Sequence, residues 1–269
     1  MKTLSLIIAL LLLSLVKLNA EEVKLFLENT REGSVLYGSN PELCPASIAL
    51  ELELVNMSFS GAEERLFVIP AQTEKVKIGE FKIAGPGRYK FNYRYKYVLG
   101  DIRNKDYDRE YEYALPYQTG KSFKVSQGYN GQLSHQNENA IDFTMPEGSE
   151  ILAARDGLVI KVVQHNNTNC AKKECIQYNN LITVYHSDGT FAQYAHLRQK
   201  GVKVQPGDVV KRGDLIGYSG NTGFTSGPHL HFVCYQQDWD KWNTFPTIFK
   251  LSKSEKGLLQ ESISYLRDY

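Results

Sequence analysis

The sequence has little net charge. Its 31 lysine and arginine residues nearly balance 30 aspartate and glutamate residues, which gives a formal charge of +1. A protein that binds nucleic acid through phosphate contacts needs a strongly basic face, so this balance argues against that class of partner. Low-complexity segments are absent, and helical periodicity is weak before the C-terminal tail. With aromatic residues at 12%, the composition favours strands over helices.

The apolar run at the N-terminus, Leu4 to Val16, is too short to span a bilayer comfortably. It follows Lys2 and precedes Leu18-Asn19-Ala20, which is the layout of a secretory signal peptide, and no cysteine follows to carry a lipid anchor. We therefore exclude residues 1–20 from the fold. We expect an exported protein, periplasmic or extracellular, with no stable membrane insertion after cleavage. Without Lys2 and Lys17, 29 basic residues face 30 acidic ones and the formal charge is −1.

The chain also has few cysteines: Cys44, Cys170, Cys175 and Cys234. An exported chain meets an oxidising compartment, which favours disulfides over free thiols, and four cysteines allow three pairings. The segment from Cys170 to Cys175 is short and polar, which suits a small disulfide-closed loop between two strands. Cys44 and Cys234 would then either tie two domains together or remain unpaired.

Residues 21–117 alternate apolar and polar side chains in the manner of half-buried strands. Ser47 to Phe59 shows this period, and in Arg88 to Tyr97 every second residue is aromatic. Shorter strands are predicted at Val23 to Leu27, Arg65 to Ile69, Val76 to Ile78 and Phe81 to Ile83. We predict a small accessory domain that resembles a β-sandwich. The aromatic stripe could stack on a sugar, but alternation is what a core face produces, and we favour the core.

In residues 118–250 the turn signals become denser and the strands shorter, which predicts an antiparallel β-sheet domain. The charged segment Asp101 to Glu112 is interpreted as an exposed hairpin or linker. In residues 251–269, helical spacing predicts a short C-terminal helix and involves Leu259, Ile263 and Leu266. The predicted fold class is all-β apart from this helix. The predicted strands of the second domain are Lys124 to Tyr129, Ala140 to Phe143, Ile151 to Ala153, Gly157 to Gln164, Leu181 to His186, Thr190 to His196, Val209 to Val210 and His229 to Tyr235.

A turn rich in glycine, residues 220–228, leads into the strand that begins at His229. Residues two apart in a strand face the same side, so His229 and His231 should project together while Leu230 and Phe232 enter the core. Two histidines at this spacing occur by chance on many exposed faces. A metal site therefore needs further ligands.

Further candidate ligands lie upstream. Asp142 stands between two apolar residues of its strand, so its carboxylate should lie on the face opposite the core. His196 ends a predicted strand and should share a face with Tyr194 and Ala192. His135 would approach from the preceding loop. One concave face would then gather five groups able to bind a metal or transfer a proton: His135, Asp142, His196, His229 and His231.

These residues stand in motifs that resemble those of the lysostaphin-type (LytM-like) zinc endopeptidases, which cut peptidoglycan peptides. The resemblance covers roughly residues 124–236, whereas residues 21–117 show no comparable motif. The spacing from His135 to Asp142 is longer than in lysostaphin, which a loop ligand can absorb. The motifs, in the order of the family, are His135 with Asp142, Ala140-Ile141-Asp142-Phe143, Pro146-Glu147-Gly148, Ala153-Ala154-Arg155-Asp156-Gly157, Tyr194-Ala195-His196-Leu197, Val204-Gln205-Pro206-Gly207-Asp208, Gly213-Asp214-Leu215-Ile216-Gly217 and Thr225 to Phe232.

By position, the resemblance implies zinc ligands at His135, Asp142 and His231 and catalytic histidines at His196 and His229. Two imidazoles and one carboxylate fill three tetrahedral positions and leave the fourth for water, which is the open arrangement of a catalytic zinc. The resemblance also implies hydrolysis of peptidoglycan stem or cross-bridge peptides. The division of roles between the two catalytic histidines and the identity of the bond cleaved stay open.

The competing interpretation is a non-catalytic LytM-like module that binds or regulates other cell-wall hydrolases. Degenerate modules of that kind lack some ligands or catalytic histidines, whereas all five positions are present here, which favours an enzyme. A purely structural zinc site would require four protein ligands. We expect His165 and His186 to be solvated or hydrogen-bonded, and Cys234 to point away from the zinc. The accessory domain would position the wall substrate, cover the groove or act as a spacer.

Overall fold

The structure is a computed structural model and describes residues 22–31, 33–61 and 65–269. The predicted signal peptide, residues 1–20, lies outside this part of the chain. The architecture is almost entirely β, with mostly antiparallel pairing and a short 3₁₀ helix at Lys173–Tyr178. Within the described ranges, no helix is both long enough and apolar enough to cross a membrane.

Two sheets form the first half of the described chain and pack around a common core. One sheet has the order β1-β2-β6-β4 and the other β5-β3-β7. The shared core includes Leu36 and Phe81 from the first sheet and Ile48 and Ile69 from the second. This is the small sandwich that the alternating pattern predicts. The strands are β1 Lys24–Asn29, β2 Gly33–Asn40, β3 Ala46–Val55, β4 Met57–Gly61, β5 Leu66–Ile69, β6 Thr73–Ile83 and β7 Lys90–Leu99.

The aromatic stripe of β7 belongs to this core. Tyr93, Tyr95 and Tyr97 are partly buried and pack against it, while the intervening Arg94 and Lys96 are exposed. The alternation therefore marks the inner face of a sheet, as predicted. These tyrosines do not form an exposed platform on which a sugar could stack.

Two strand boundaries differ from the sequence prediction. The single strand predicted from Ser47 to Phe59 is divided at Asn56, whose φ of 50° turns the chain from one sheet into the other. Conversely, two short predicted strands merge into β6. Gly79 lies within β6. A Cβ added at this position would lie 2.3 Å from the Phe59 ring, so glycine leaves the room that this ring occupies.

The second half of the chain is organised around one large sheet. Its strand order is β16-β12-β14-β15-β19-β10-β9-β23, with β20 added to β19. The core lies on one face of this sheet and includes Ile141, Phe143, Tyr194, Leu230 and Phe232. The strands are β8 Glu112–Tyr113, β9 Ser122–Gln127, β10 Ala140–Thr144, β11 Glu150–Leu152, β12 Gly157–Val163, β13 Asn169–Cys170, β14 Leu181–Tyr185, β15 Phe191–Ala195, β16 Val209–Val210, β17 Leu215–Tyr218, β18 Gly223–Phe224, β19 His229–Gln237, β20 Trp242–Thr244, β21 Ile248–Lys250, β22 Lys256–Gly257 and β23 Ser264–Leu266.

The predicted C-terminal helix is wrong. The tail instead supplies β23, which pairs antiparallel with β9 at the edge of the large sheet. Of the three residues at helical spacing, Leu259 is 3% exposed, whereas Ile263 and Leu266 are 46% and 51% exposed. The three side chains therefore form no common apolar face, which is what a short amphipathic helix needs in order to be stable.

The two halves meet through a small buried cluster and a linker. Cys44 packs with Phe191 and Tyr235, which lie where β15 begins and toward the end of β19. The segment from Asp101 to Tyr111 forms no strand and acts as a linker. Its Asn104 donates a hydrogen bond to the Asp188 carbonyl, and its Tyr107 stacks on Phe245 at 4.3 Å between ring centroids.

The linker continues into the core of the second half. Tyr113, Leu115 and Tyr117 are 2%, 0% and 0% exposed and belong to the large core cluster. Arg155, itself buried, forms an ion pair with Asp188 at 2.8 Å and donates to the Tyr113 hydroxyl at 3.2 Å. The last residues of the range assigned to the accessory domain thus pack with the second domain.

Candidate metal centre and active site

Asp142 and His231 occupy directly paired positions on two neighbouring antiparallel strands. β10 and β19 pair with Asp142 opposite His231, and Asp142 Oδ1 lies 3.0 Å from His231 Nδ1. The residues on either side, including Leu230 and Phe232, are buried in the core on the other face. The alternation read from the sequence therefore orients both side chains as predicted.

His135 joins this pair from the loop between β9 and β10. Its Nε2 lies 3.2 Å from His231 Nδ1 and 3.3 Å from Asp142 Oδ1, while its Nδ1 lies 3.1 Å from the Gly128 carbonyl. One donor atom from each of His135, Asp142 and His231 lies within 4.8 Å of the others, which makes a possible metal site. Two imidazoles and one carboxylate suit a first-row transition ion and leave a coordination position free.

The electrostatics of this set favour an ionised carboxylate. Burial alone would raise the pKa of Asp142, but hydrogen bonds with His135 and His231 hold it well below its usual range. Burial would lower the pKa of His135, yet the Asp142 carboxylate raises it overall. A buried negative charge is therefore present that needs a positive partner, either an imidazolium or a cation.

His196 reaches the same place by a route that strand alternation does not describe. β15 ends at Ala195, which pairs with His231, while Tyr194 pairs with Phe232 and is fully buried in the core. The prediction that His196 shares a face with Tyr194 and Ala192 is therefore wrong. A φ of 63° at His196 turns the chain after the strand and brings its ring back to the side of His231.

Backbone carbonyls orient both remaining histidines. His196 Nδ1 lies 2.7 Å from the Thr222 carbonyl, and His229 Nδ1 lies 2.8 Å from the Gly227 carbonyl. A carbonyl accepts only from an N–H, so each Nδ1 carries a proton and each Nε2 is left for chemistry. The His196 and His229 ring centroids are 4.5 Å apart, and His229 Nε2 lies 3.7 Å from Asp142 Oδ1.

The His196 ring is held in its neutral form. Burial, reinforced by the neighbouring His229 and His231 imidazoles, lowers its pKa to about 3. A neutral imidazole with its proton on Nδ1 has a lone pair on Nε2. His196 therefore presents Nε2 as a hydrogen-bond acceptor.

Sequence reasoning missed the residues that support this centre. Gln127 is buried and donates to Asp142 Oδ2 at 3.0 Å, while its own Oε1 accepts from the Leu133 and Ser134 amides. Gln127 thus fixes both a candidate ligand and the loop that carries His135. Strand alternation would put Gln127 on the core face with Val125, but a register shift between β9 and β10 places it opposite Asp142.

The remaining histidines and the four cysteines lie outside the group formed by His135, Asp142, His196, His229 and His231. His186 is buried and its Nδ1 lies 2.7 Å from the Asp156 carbonyl, whereas His165 is exposed. Cys234 lies in the core behind the sheet, as predicted, and both Cys234 and Cys44 are free. Cys170 and Cys175 form the predicted local disulfide.

Comparison with known proteins identifies the class. Residues 136–243 match the model of Peptidase family M23. The chain therefore contains a domain of this metallopeptidase family, and that domain includes every residue of the cluster except His135, which immediately precedes it.

The chain is also similar to named peptidoglycan endopeptidases. It is 36% identical over 115 residues to glycyl-glycine endopeptidase ALE-1 of Staphylococcus capitis, which covers 41% of this chain and 29% of that protein. It is 34% identical over 94 residues to peptidoglycan DD-endopeptidase ShyA of Vibrio cholerae, covering 35% and 19%. The catalytic domain of lysostaphin from Staphylococcus simulans is a structural neighbour at 25% identity, 46% and 87% coverage and a TM-score of 0.34. The chain spans less than a third of the length of ALE-1 and ShyA.

Proposed function

We propose that this protein is an exported zinc-dependent endopeptidase that hydrolyses peptide bonds in peptidoglycan stem or cross-bridge peptides. The observation that carries the proposal is a three-donor set, His135, Asp142 and His231, with two further histidines beside it. The named activities of ALE-1 and ShyA support the substrate class. The signal-peptide pattern of residues 1–20 supports export.

The donor set fits zinc because nitrogen and oxygen ligands in this ratio are typical of catalytic zinc sites. A zinc ion bound there would supply Lewis acidity, polarising the scissile carbonyl and making water a better nucleophile. The ionised Asp142 carboxylate supplies the negative charge that such a cation requires. Gln127 keeps that carboxylate in place through its hydrogen bond to Oδ2.

The two remaining histidines take different roles in this proposal. His196, whose Nδ1–H is held by the Thr222 carbonyl and whose Nε2 is free, accepts the proton of the attacking water. His229 in its protonated form donates from Nε2 to the oxygen that gains negative charge at the scissile carbonyl. Asp142 Oδ1 lies 3.7 Å from His229 Nε2, which places a carboxylate beside that nitrogen.

The alternative function is a non-catalytic module that binds or regulates other hydrolases. Such a module would need neither histidine next to the donor set. Here both are oriented by backbone carbonyls and turned toward it, an arrangement that binding alone does not require. The enzyme is therefore the better-supported proposal.

Digestion of purified peptidoglycan tests the proposal and identifies the bond. The zinc-loaded protein would be incubated with one wall preparation that has Gly-Gly cross-bridges and one with direct D-Ala-to-diamino-acid cross-links. We expect mass spectrometry to find new peptide termini in one of them. A chelator should abolish these products, and His229→Ala should slow their release by about a hundredfold or more. If zinc-loaded protein releases no fragment from either wall, the proposed activity is wrong.

A further inference from the structure

A loop closed by the Cys170–Cys175 disulfide lies against the turn that precedes His229. We call residues 168–180, between β12 and β14, the disulfide loop; it contains β13 and the 3₁₀ helix. β13 pairs in parallel with β18, which places Cys170 beside Phe224. The Gly223 amide donates to the Thr168 carbonyl at 2.9 Å and the Thr225 amide to the Cys170 carbonyl at 3.2 Å.

The end of the disulfide loop holds His196 directly. Asn179 Oδ1 accepts a hydrogen bond from the His196 backbone amide at 2.8 Å. This contact matters because His196 has a φ of 63°, a left-handed conformation that is unfavourable for a histidine without support. The next residue, Asn180, donates through its own amide to the Thr222 hydroxyl at 3.2 Å.

The turn held by this loop also orients both histidine rings. The Thr222 carbonyl accepts from His196 Nδ1, and the Thr225 hydroxyl lies 3.2 Å from His229 Nδ1. Contact between loop and turn is tight at Gly223, where an added Cβ would lie 2.9 Å from the Asn179 Cα. With its φ of +84°, this position accommodates only glycine easily. A shift of the disulfide loop would therefore move the supports of both rings.

We propose that the Cys170–Cys175 disulfide and Asn179 are positioning elements that hold His196 and His229 in register with the metal-binding set. The disulfide restricts the conformations of the loop, the β13–β18 pairing transmits that restriction to the turn, and Asn179 fixes the backbone of His196. None of these contacts involves His135, Asp142 or His231. The expected effect on catalysis rests on the proposed peptidase function. The expected effect on the conformation of His196 and His229 does not depend on that function.

The test compares the oxidised protein, the same protein reduced with a phosphine, and the Cys170→Ser/Cys175→Ser variant. We expect kcat on a soluble wall peptide to fall by about tenfold or more after reduction, because small displacements of catalytic groups are costly, while KM and zinc content stay nearly constant. The double variant should match the reduced protein and should not respond to phosphine. That insensitivity controls for any effect of the reductant on the metal.

Amide hydrogen exchange gives a readout that is independent of activity. Reduction should accelerate exchange at His196, Gly223 and Thr225 but not at Ile182 or Val184 in the neighbouring β14. Asn179→Ala should accelerate exchange at His196, and Asn179→Asp, which keeps an acceptor oxygen, should restore protection.

Three results would overturn the proposal: unchanged kcat and exchange after reduction, loss of zinc on reduction, or equal exchange in the two Asn179 variants. If the double variant does not fold, the reduced wild-type protein still decides the matter. If the oxidised, zinc-loaded protein cleaves no wall peptide, the proposed function fails, while the exchange data still test the positioning.

Discussion

Asp142 and His231 are 89 residues apart in sequence yet lie opposite each other in one strand pair, with 3.0 Å between Oδ1 and Nδ1. Two of the three candidate ligands are thus fixed by the same hydrogen-bonded ladder, and only His135 depends on a loop. A site built on paired strands holds its ligands more precisely than one built on loops alone.

Removal of either strand ligand should empty the metal site. We expect Asp142→Ala and His231→Ala to lower zinc from about one ion per chain to a small fraction of that, because two remaining ligands hold the ion poorly. Metal analysis after dialysis measures this. The exposed His165 gives a matched control, since His165→Ala should keep its zinc. Full zinc in both ligand variants would contradict the assignment.

Removal of either neighbouring histidine should separate catalysis from metal binding. His196→Ala and His229→Ala should retain zinc but lose about a hundredfold or more in kcat, the usual scale for a general base or an oxyanion donor. Steady-state kinetics on a soluble wall peptide, with zinc measured on the same samples, provides the check. A variant that keeps full activity shows that its histidine has been given the wrong role.

Gln127 should influence metal affinity although it offers no ligand to the ion. Its amide holds Asp142 Oδ2 and the loop of His135, so Gln127→Leu should weaken zinc binding by roughly 10- to 100-fold. Competition with a chromogenic chelator measures the affinity. Gln136→Leu, an exposed glutamine in the same loop, is the control and should bind zinc as the unchanged protein does. Equal affinities would show that Asp142 is held in place without Gln127.

His186 should make the fold sensitive to acid. Burial lowers its pKa from 6.5 to about 4, so between these pH values the unfolded chain binds a proton that the folded chain does not. The stability linked to His186 is fully present above pH 6.5 and is lost as the pH falls toward 4, by about 3 kcal/mol in total. Urea unfolding from pH 4 to 7, with a chelator present, should show a shallower pH dependence for His186→Gln. Parallel curves would contradict this.

The start of a separately folding second domain should lie before residue 118. A fragment that begins at Gln118 lacks Tyr113, Leu115 and Tyr117, each nearly fully buried. The loss of each large core side chain costs about 2–5 kcal/mol, and three exceed what most domains can lose. We expect a fragment beginning at Asp101 to unfold cooperatively on heating and the shorter fragment not to. The reverse result would make the sequence-based boundary correct.

The same two fragments bear on whether the accessory domain restrains the site. The accessory domain packs on Phe191 and Tyr235 through Cys44, whereas His196 and His229 lie at the opposite ends of β15 and β19. We therefore expect the fragment beginning at Asp101 to cleave soluble peptide at a rate within about twofold of the whole chain. A large rise in rate would instead support a covering role.

Alternation in the sequence predicted those parts of the fold in which each residue sits in a regular strand. The faces of Asp142, His229 and His231 and the inward tyrosines of β7 follow directly from it. Alternation fails where the backbone leaves the strand. The left-handed conformation of His196 brings its ring to the site face, and that of Asn56 divides the predicted strand in two. Helical spacing in the tail misled because three apolar residues can recur by chance without a common buried face.

The supporting residues were unpredictable for a different reason. Asn179, Thr222 and Gln127 support the site through hydrogen bonds to residues 15 or more positions away in the chain. No periodic pattern marks such contacts, because the partner is fixed only once the sheet has formed. The local disulfide was predictable because its two cysteines are close in sequence and lie within one loop.

The cluster of Cys44, Phe191 and Tyr235 also places the accessory domain on the face of the sheet that carries the histidines. Phe191 lies four residues before Ala195, which pairs with His231, so the accessory domain occupies the same face of the sheet about 13 Å along the strands. A chain lying along β15 and β19 would meet protein on that side of the site. In the proposed peptidase, a substrate that runs along these strands would therefore have limited room on that side of the histidines.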